Sequence, residues 1–475
     1  MKKICDWKVI FSLEILMSII FIGFIGYTAI LPMKYFIVLI GILVLLNILM
    51  FFFVRPSKKT VKQTRSLFGK LVSVLVSISL IMGTLFVVRG HLTLKSLSDA
   101  KTEITRYSVY VLKDDPAQTI QDVKNKKIAM NLEVDQEKTN QAKNTVLTEV
   151  SVLFKDYSEF NKMVDDLYHE DIDALYMNEA YTTMFEESHP DFDKETKIIY
   201  TCELENEVAS NSKDVDVTKN PFVVYISGID TYGKVSTVSR SDVNMMVTVN
   251  PQTKQVLMTS LPRDCYVELA NKGKKDKLTH SGLAGIENTI QTVENFIGVD
   301  INYYMRINFT SLIEIVDALG GITVDIPKNF TSRHGMYFHQ GKQVLNGEQA
   351  LAYSRERYAF GGGDGARVKH QQQVLTAMIE KLLSPSVIKN YNRILKAVDG
   401  SFETNMASSD IVNLIKMQLS DNASWTIQQE QIQGKGQKMM GGAYMPNNRL
   451  YYLVPNEESV AENKTAILQI MNGKK

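Results

Sequence analysis

The stretch from Tyr353 to Gln373 carries the side chains of this chain best suited to holding an anion. It opens with Tyr353, Ser354, Arg355, Glu356 and Arg357, loosens through Gly361, Gly362, Gly363, Asp364 and Gly365, and closes on Arg367, Lys369, His370, Gln371 and Gln372. On an extended segment Arg355 and Arg357, two residues apart, point the same way. Arg367 and Gln371, four apart, share one face of the helix expected next. The glycines between supply the backbone freedom for a tight loop, so the two halves can converge on one small ligand. A guanidinium stays charged at any relevant pH and meets phosphate with two parallel hydrogen bonds. Arginine is scarce here, 13 of the 53 basic residues, yet seven of those fall between Arg240 and Arg367 and none between Tyr107 and Ser239. A chain whose default positive charge is lysine changes to arginine where the guanidinium geometry is needed. Ordinary surface salt bridges are the plain alternative.

Upstream, two strand margins each place an arginine beside an aspartate: Arg240 with Asp242, and Arg263 with Asp264. Carboxylates grouped beside arginines suit a Mg²⁺ held by one or two Asp plus substrate phosphate oxygens. Two local Arg–Asp ion pairs explain the same pattern without a metal. Cys5, Cys202 and Cys265 lack metal-ligand spacing. A Cys202–Cys265 disulfide is open but unsupported. No Ser/His/Asp or Cys/His arrangement competes for a catalytic role.

The elements that must position these groups begin with a membrane region. Val9 to Leu31 is apolar apart from Glu14, Tyr35 to Val54 apart from Asn47, and Leu71 to Val88 is a third such stretch. Each is long enough, at about 18 to 23 residues, to cross a bilayer as a helix. Glu14 lies near a helix start and is expected to snorkel to the interface. A cleaved signal peptide is the rival for the first segment, and would still leave two spans. Lys2, Lys3 and Lys8, and the loop from Arg55 to Lys70, carry the positive charge that stays cytoplasmic. Three crossings then put everything after about Gly90 outside a plasma membrane. Lys plus Arg is 53 against Asp plus Glu 52, so no overall basic charge points to nucleic acid.

Beyond the anchor (1–92), residues 100–205 alternate strands and helices: Tyr107 to Val111, Lys127 to Asn131, Asp173 to Met177 and Ile198 to Thr201 as strands, with a long polar helix over Lys138 to Leu153. This reads as a small α/β accessory domain without a catalytic constellation. His169, Asp171 and Asp173 lack a fourth ligand and read as a solvated loop. Residues 206–220 read as a linker. Residues 221–385 hold strands at Phe222 to Ile226, Asn244 to Asn250, Val256 to Ser260 and Ile322 to Ile326, with a helix over Phe309 to Leu319 ended by Gly320 and Gly321. Apolar positions after Gln373 are either core or the lining of a slot for a lipid chain. Residues 386–475 read as a helical and strand-bearing extension packed with this domain, with helices over Val387 to Val398 and Ser408 to Leu419 and a more irregular tail.

Asp230, Arg240 with Asp242, Leu261 to Asp264, Val316 to Gly321, Asn346 to Leu351, Tyr353 to Arg357 and Asp364 to Gln372, in that order over about residues 222–384, resemble the LytR-CpsA-Psr (LCP) family. The three spans with an inserted accessory domain are similar to its CpsA-type members associated with capsule loci. The resemblance implies an α/β/α domain with a central mixed sheet and an apolar tunnel between sheet and helices for the lipid. It implies a Mg²⁺-dependent phosphotransferase on the outer membrane face, moving a glycopolymer from a polyprenyl-pyrophosphate carrier onto peptidoglycan, with capsular polysaccharide favoured as polymer and other capsule assembly proteins as further partners. By the family pattern Arg263, Arg355, Arg357, Arg367 and Gln371 bind the pyrophosphate, Asp242 and Asp264 hold Mg²⁺, and Arg240 and Asp364 sit near the same site. His370 stands where the family often has arginine, which weakens one phosphate contact or makes it pH-dependent. A transcriptional regulator, a pyrophosphate hydrolase using the same site and an idle scaffold are the competing readings.

Overall fold

In a computed structural model the described residues run from 6 to 473, apart from 57–59, 99–101, 186–187, 209–211, 334, 362–363, 383, 385–389, 391–392, 395–396 and 398–400. Most of the helix expected over Val387 to Val398 lies outside them.

Three helices are long and apolar enough to cross a membrane: α1 (Trp7–Thr28), α2 (Met33–Val54) and α3 (Thr60–Ser98). Glu14 does not snorkel. It is fully buried in the bundle, where the Ser73 hydroxyl of α3 donates to its carboxylate, and the Ser18 hydroxyl bonds back to its carbonyl. Tyr27 rests against His91, so these two positions lie at the same level of the bundle.

α3 leads into a five-stranded sheet of order β3-β2-β4-β1-β5, built from β1 (Thr102–Leu112), β2 (Lys127–Met130), β3 (Leu153–Asp156), β4 (Ala174–Asn178) and β5 (Thr196–Glu207). Helices α4 (Gln136–Glu149) and α5 (Phe160–Tyr168) join its strands. The polar helix ends earlier than its pattern suggests, because Leu153–Asp156 pairs in parallel with β2. β5 continues to Glu207, two residues into the expected linker, by pairing with β1 along nearly its whole length.

The large domain has a six-stranded mixed sheet of order β10-β9-β6-β7-β8-β11, made of β6 (Phe222–Ile229), β7 (Ser241–Asn250), β8 (Gln255–Ser260), β9 (Tyr303–Ile307), β10 (Phe402–Thr404) and β11 (Thr426–Gln431). The continuous apolar run of β6 reflects burial on both faces. On one face Val223, Tyr225, Met246 and Leu257 meet Val293 and Ile297 of α6 (Ile286–Ile297) and Ile467 and Ile470 of α11 (Glu457–Met471). On the other, Ile226, Met245, Val247 and Met258 face Leu375 and Ile379 of α9 (Asp364–Leu382). The architecture is α/β/α. The tail read as irregular contains α11, a full helix capped by Asn456. α7 (Phe309–Ala318) stops before Gly320 and Gly321, both at positive φ. α10 (Ser408–Asp421) lies against α3, and its end accepts hydrogen bonds from Lys34 (2.6 Å) and Tyr35 (3.4 Å) in the α1–α2 turn.

Residues 353–357 are not an extended segment. α8 (Gly347–Arg355) starts at an Asn346–Gln349 capping box and runs through Arg355 before Glu356 turns out of it. That box, an Asn followed three residues later by Gln, is a helix-start signal. Cys202 and Cys265 are both buried and both free, so no disulfide joins them.

Candidate functional site

The site forms where four strand ends meet. β6 and β9 are parallel, and β7 runs back antiparallel to β6. The end of β6, the start of β7, the end of β8 and the end of β9 therefore share one edge of the sheet. Pairing of β6 with β7 slips between Gly228 and Ile229, and such a bulge bends a strand and re-aims the residues after it. A Cβ on Gly228 would meet Val243 at 2.7 Å, so glycine permits the close approach that turns Asp230 toward the site.

Arg240, Asp242, Arg263, Arg355, Arg357, Arg367 and Gln371, distant in sequence, line one cavity of about 420 Å³. Arg355 enters from the last turn of α8 and Arg367 from the first turn of α9, the helix end that favours anions. Asp364 begins α9, but its side chain lies outside the described residues.

Asp242 is locked in place. Arg263 Nη1 donates to its Oδ2 at 3.0 Å and the Thr279 hydroxyl to its Oδ1 at 2.7 Å. Burial opposes its ionisation, but Arg240, Arg263, Arg367 and the Thr279 bond hold the carboxyl well below the usual range. Thr279 sits on a short turn that passes so close to 239–241 that a Cβ on Gly282 would lie 2.5 Å from the Ser239 carbonyl oxygen.

Asp264, expected beside Asp242 as a metal ligand, turns elsewhere. Its carboxylate is 3.4 Å from Lys277 Nζ and 3.9 Å from Arg263 Nε, and it is absent from the cavity lining. Adjacent in a tight turn, Arg263 and Asp264 project in different directions. The carboxylates on the cavity wall with Asp242 are Asp230 and Glu356, the latter already engaged by backbone N–H donors. The protein around the Asp230 carboxyl and the Asp242 charge raise it above its usual range, against the pull of Arg355, Arg240 and Arg263. Asp230 and Asp242, facing arginines, have the donor chemistry of a phosphate-bound Mg²⁺. Among the described residues no group of three or more His, Cys, Asp or Glu could hold a metal without substrate oxygens.

Sequence reasoning missed three contributors. Arg333 lines the cavity and stacks on Tyr358 at 5.7 Å. It belongs to the run of arginines between 240 and 367, which was its one legible signal. Phe309 lies under the Arg355 guanidinium at 4.3 Å, which fixes that group's plane. Glu356, only 3% exposed, lines the cavity and organises the cradle. Its Oε1 accepts from the N–H groups of Tyr358 (2.8 Å) and Ala359 (3.0 Å), and its Oε2 from that of Arg333 (3.0 Å). Burial works against this charge, and those backbone donors outweigh it, holding the carboxyl below its usual range.

His370 is not a phosphate contact. Its ring is buried between Tyr353 (4.5 Å) and Phe360 (4.6 Å), with Nδ1 2.9 Å from the Glu356 carbonyl oxygen. Burial lowers its proton affinity, so it packs as a neutral ring.

A sequence profile of the LytR_cpsA_psr family matches residues 175–468. The chain belongs to that family. Among curated relatives, the polyisoprenyl-teichoic acid–peptidoglycan teichoic acid transferase TagU of Enterococcus faecalis is 40% identical over 229 residues, 48% of this chain and 74% of that protein. TagU of Bacillus subtilis is 32% identical over 292 residues, 61% of this chain and 87% of that protein. The crystal structure of B. subtilis TagV aligns at 30% identity over 54% of this chain and 98% of that one, with a TM-score of 0.46. As an LCP protein, this chain places its anchor and its N-terminal accessory sheet largely before the matched region.

Proposed function

We propose that this LCP protein is a membrane-anchored phosphotransferase that moves a glycopolymer from polyprenyl pyrophosphate onto peptidoglycan. The observation that carries this is the convergence of six arginines with Asp230 and Asp242 on one cavity. Phosphoryl transfer asks for positioning and neutralisation of charge more than for a protein nucleophile. The relatives' activity on polyisoprenyl-linked teichoic acid points to the same reaction class. The three-span, two-domain layout favours capsular polysaccharide as the polymer.

In this reading Arg263, Arg355, Arg357 and Arg367 hold the pyrophosphate, with Gln371 donating from the next turn of α9. The acceptor sugar's hydroxyl oxygen forms a bond to the phosphorus that carries the glycan. The bond from that phosphorus to the bridging oxygen breaks, and polyprenyl phosphate leaves with the electron pair while the acceptor's proton passes to solvent. Arginine charge stabilises the oxygens on which negative charge builds. Mg²⁺, held by Asp230 and Asp242, would supply further positive charge to the pyrophosphate oxygens. The lipid chain would follow the apolar layer between the sheet and α9, past Leu375 and Ile379. The positive flanks of the anchor favour a cytoplasmic N-terminus and an extracellular large domain. The contact of α10 with the α1–α2 turn fits three crossings, which leave that turn and the large domain on one side in either orientation.

The test uses the full chain in lipid nanodiscs with Mg²⁺ and a short polyprenyl-pyrophosphoryl oligosaccharide. Release of polyprenyl phosphate that needs peptidoglycan fragments, and is lost in Arg357→Ala, is the expected result. Release without acceptor would make it a hydrolase. Binding without turnover would make it a scaffold.

A further inference from the structure

Asp230 and Arg240 bracket an eleven-residue connection between β6 and β7 that has almost no regular structure of its own. Two sets of contacts hold it. The first comes from the large domain: Phe309 N–H donates to the Thr231 carbonyl at 3.2 Å, Asn308 Nδ2 to the Gly233 carbonyl at 2.9 Å, and Gly233 N–H to the Thr310 hydroxyl at 3.2 Å. The second comes from the first residues after the membrane anchor. Ile104 N–H donates to the Ser236 carbonyl, and Val238 N–H donates to the Ile104 carbonyl, both at 2.8 Å. These bonds form a parallel bridge centred on Ile104 and Thr237. Val238 is two residues before Arg240, so this bridge sets the path by which Arg240 enters the cavity.

Ile104 is itself held by its neighbour. Glu103, 7% exposed, reaches into the large domain and pairs with Arg306 of β9, which is 1% exposed. The same carboxylate oxygen accepts the N–H of Ile286 at the start of α6, at 2.9 Å. A Cβ on Gly285 would overlap Glu103 Oε2, so glycine leaves room for the carboxylate. The other side of Arg306 is 3.5 Å from Glu403 of β10. An arginine buried this deeply needs its carboxylates, because an unpaired charge in the interior is strongly disfavoured. Three residues after Arg306, Phe309 carries the Arg355 guanidinium. One buried ion triad therefore fastens the membrane-proximal strand to both walls of the cavity.

We propose that Glu103, together with the Ile104 bridge, is a positioning element of the phosphate site: the start of β1 holds the loop that presents Asp230 and Arg240. The site is then complete only when the strand leaving the membrane is docked. Residues 103–104 belong to the site although they precede the large domain by more than a hundred positions.

The activity arm rests on the transferase reading, whereas the structural arm does not. The full chain in nanodiscs is compared with Glu103→Gln, Glu103→Asp and Glu403→Gln by hydrogen–deuterium exchange over 231–240 and by polyprenyl phosphate release. Glu403→Gln perturbs the same arginine but touches neither Ile286 nor the bridge. Glu103→Asp keeps the charge beside Arg306 and covers the case in which Glu103→Gln does not fold. The expected result is exchange over 231–240 faster by tenfold or more in Glu103→Gln and by threefold or more in Glu103→Asp. Glu403→Gln should stay within twofold of the unaltered chain. kcat should fall by similar factors, with KM changing less. Unchanged exchange in the Glu103 variants that fold, or equal loosening by Glu403→Gln, overturns the proposal. An unaltered chain that fails to turn over would count against the transferase reading alone, and the exchange arm would still decide this one.

Discussion

Replacing Glu356 by glutamine removes little volume but takes one acceptor from three backbone donors. An amide oxygen can still serve the N–H groups of Tyr358 and Ala359, which share Oε1 at 2.8 and 3.0 Å. The N–H of Arg333, bonded to Oε2 at 3.0 Å, then faces an amide NH₂ group, which is also a donor. Losing a hydrogen bond to a charged acceptor costs roughly 1.5–3 kcal/mol. Part of that relaxes as the turn bearing Arg333 swings out to water. If about 2 kcal/mol is expressed in the transition state, kcat/KM for polyprenyl phosphate release falls roughly 30-fold. The loss should run through Arg333. In a double-mutant cycle, Glu356→Gln and Arg333→Ala together should therefore cost clearly less than the sum of the two alone. The assay is initial-rate release in nanodiscs at saturating Mg²⁺, with melting temperature recorded in parallel. A Glu356→Gln rate within twofold of the unaltered chain, or strictly additive losses, would refute the role assigned to this carboxylate.

Asp230→Asn should raise the Mg²⁺ concentration for half-maximal release by tenfold or more, while Asp264→Asn, whose carboxylate faces Lys277, should not; Mg²⁺ titrations check this, and the reverse order would return the metal to Asp264. Burial, with a smaller push from Glu103 and against the pull of Arg306, raises the Glu403 carboxyl to about 7. Such a group favours the folded state fully below its unfolded value near 4.5, and that contribution is lost as pH rises through 7. Stability should therefore drop by up to about 3 kcal/mol between pH 5 and 8, and Glu403→Gln should flatten that slope. Parallel melting curves for the two proteins across this range would contradict the assignment. Arg355→Lys should lower kcat/KM on the order of tenfold although charge is kept, because an ammonium offers neither the planar stack on Phe309 nor a two-pronged phosphate contact; activity equal to the parent would show that Phe309 has no part in orienting the phosphate contact.

Much of the site was legible in residue types. The switch from lysine to arginine between 240 and 367 marked seven arginines, and six of them line the cavity. The seventh, Arg306, is the buried centre of the ion triad, and nothing local separates it from the others. Arg355 and Arg357 stand at the site their residue types indicate, but the capping box at Asn346 puts Arg355 on a helix where their spacing alone suggests a strand. The burial of Glu14 has no local signal, because its partner, Ser73, lies on a helix 59 residues away.

By itself the sequence determined what depends on near neighbours. Apolar runs long enough for a bilayer give three helices, alternating elements give an α/β fold, and arginine-rich margins give an anion site. It also carried the ordered motifs by which the family is recognised. Only the tertiary structure decided which carboxylate faces the arginines, since Asp230 and Asp264 both follow strand ends and differ in the direction the chain takes there. Only the structure seated His370 between Tyr353 and Phe360, and only it joined Ile104 to a loop more than a hundred residues away. Those outcomes depend on strand order, register and turn direction, which place side chains in space by interactions that no local pattern records.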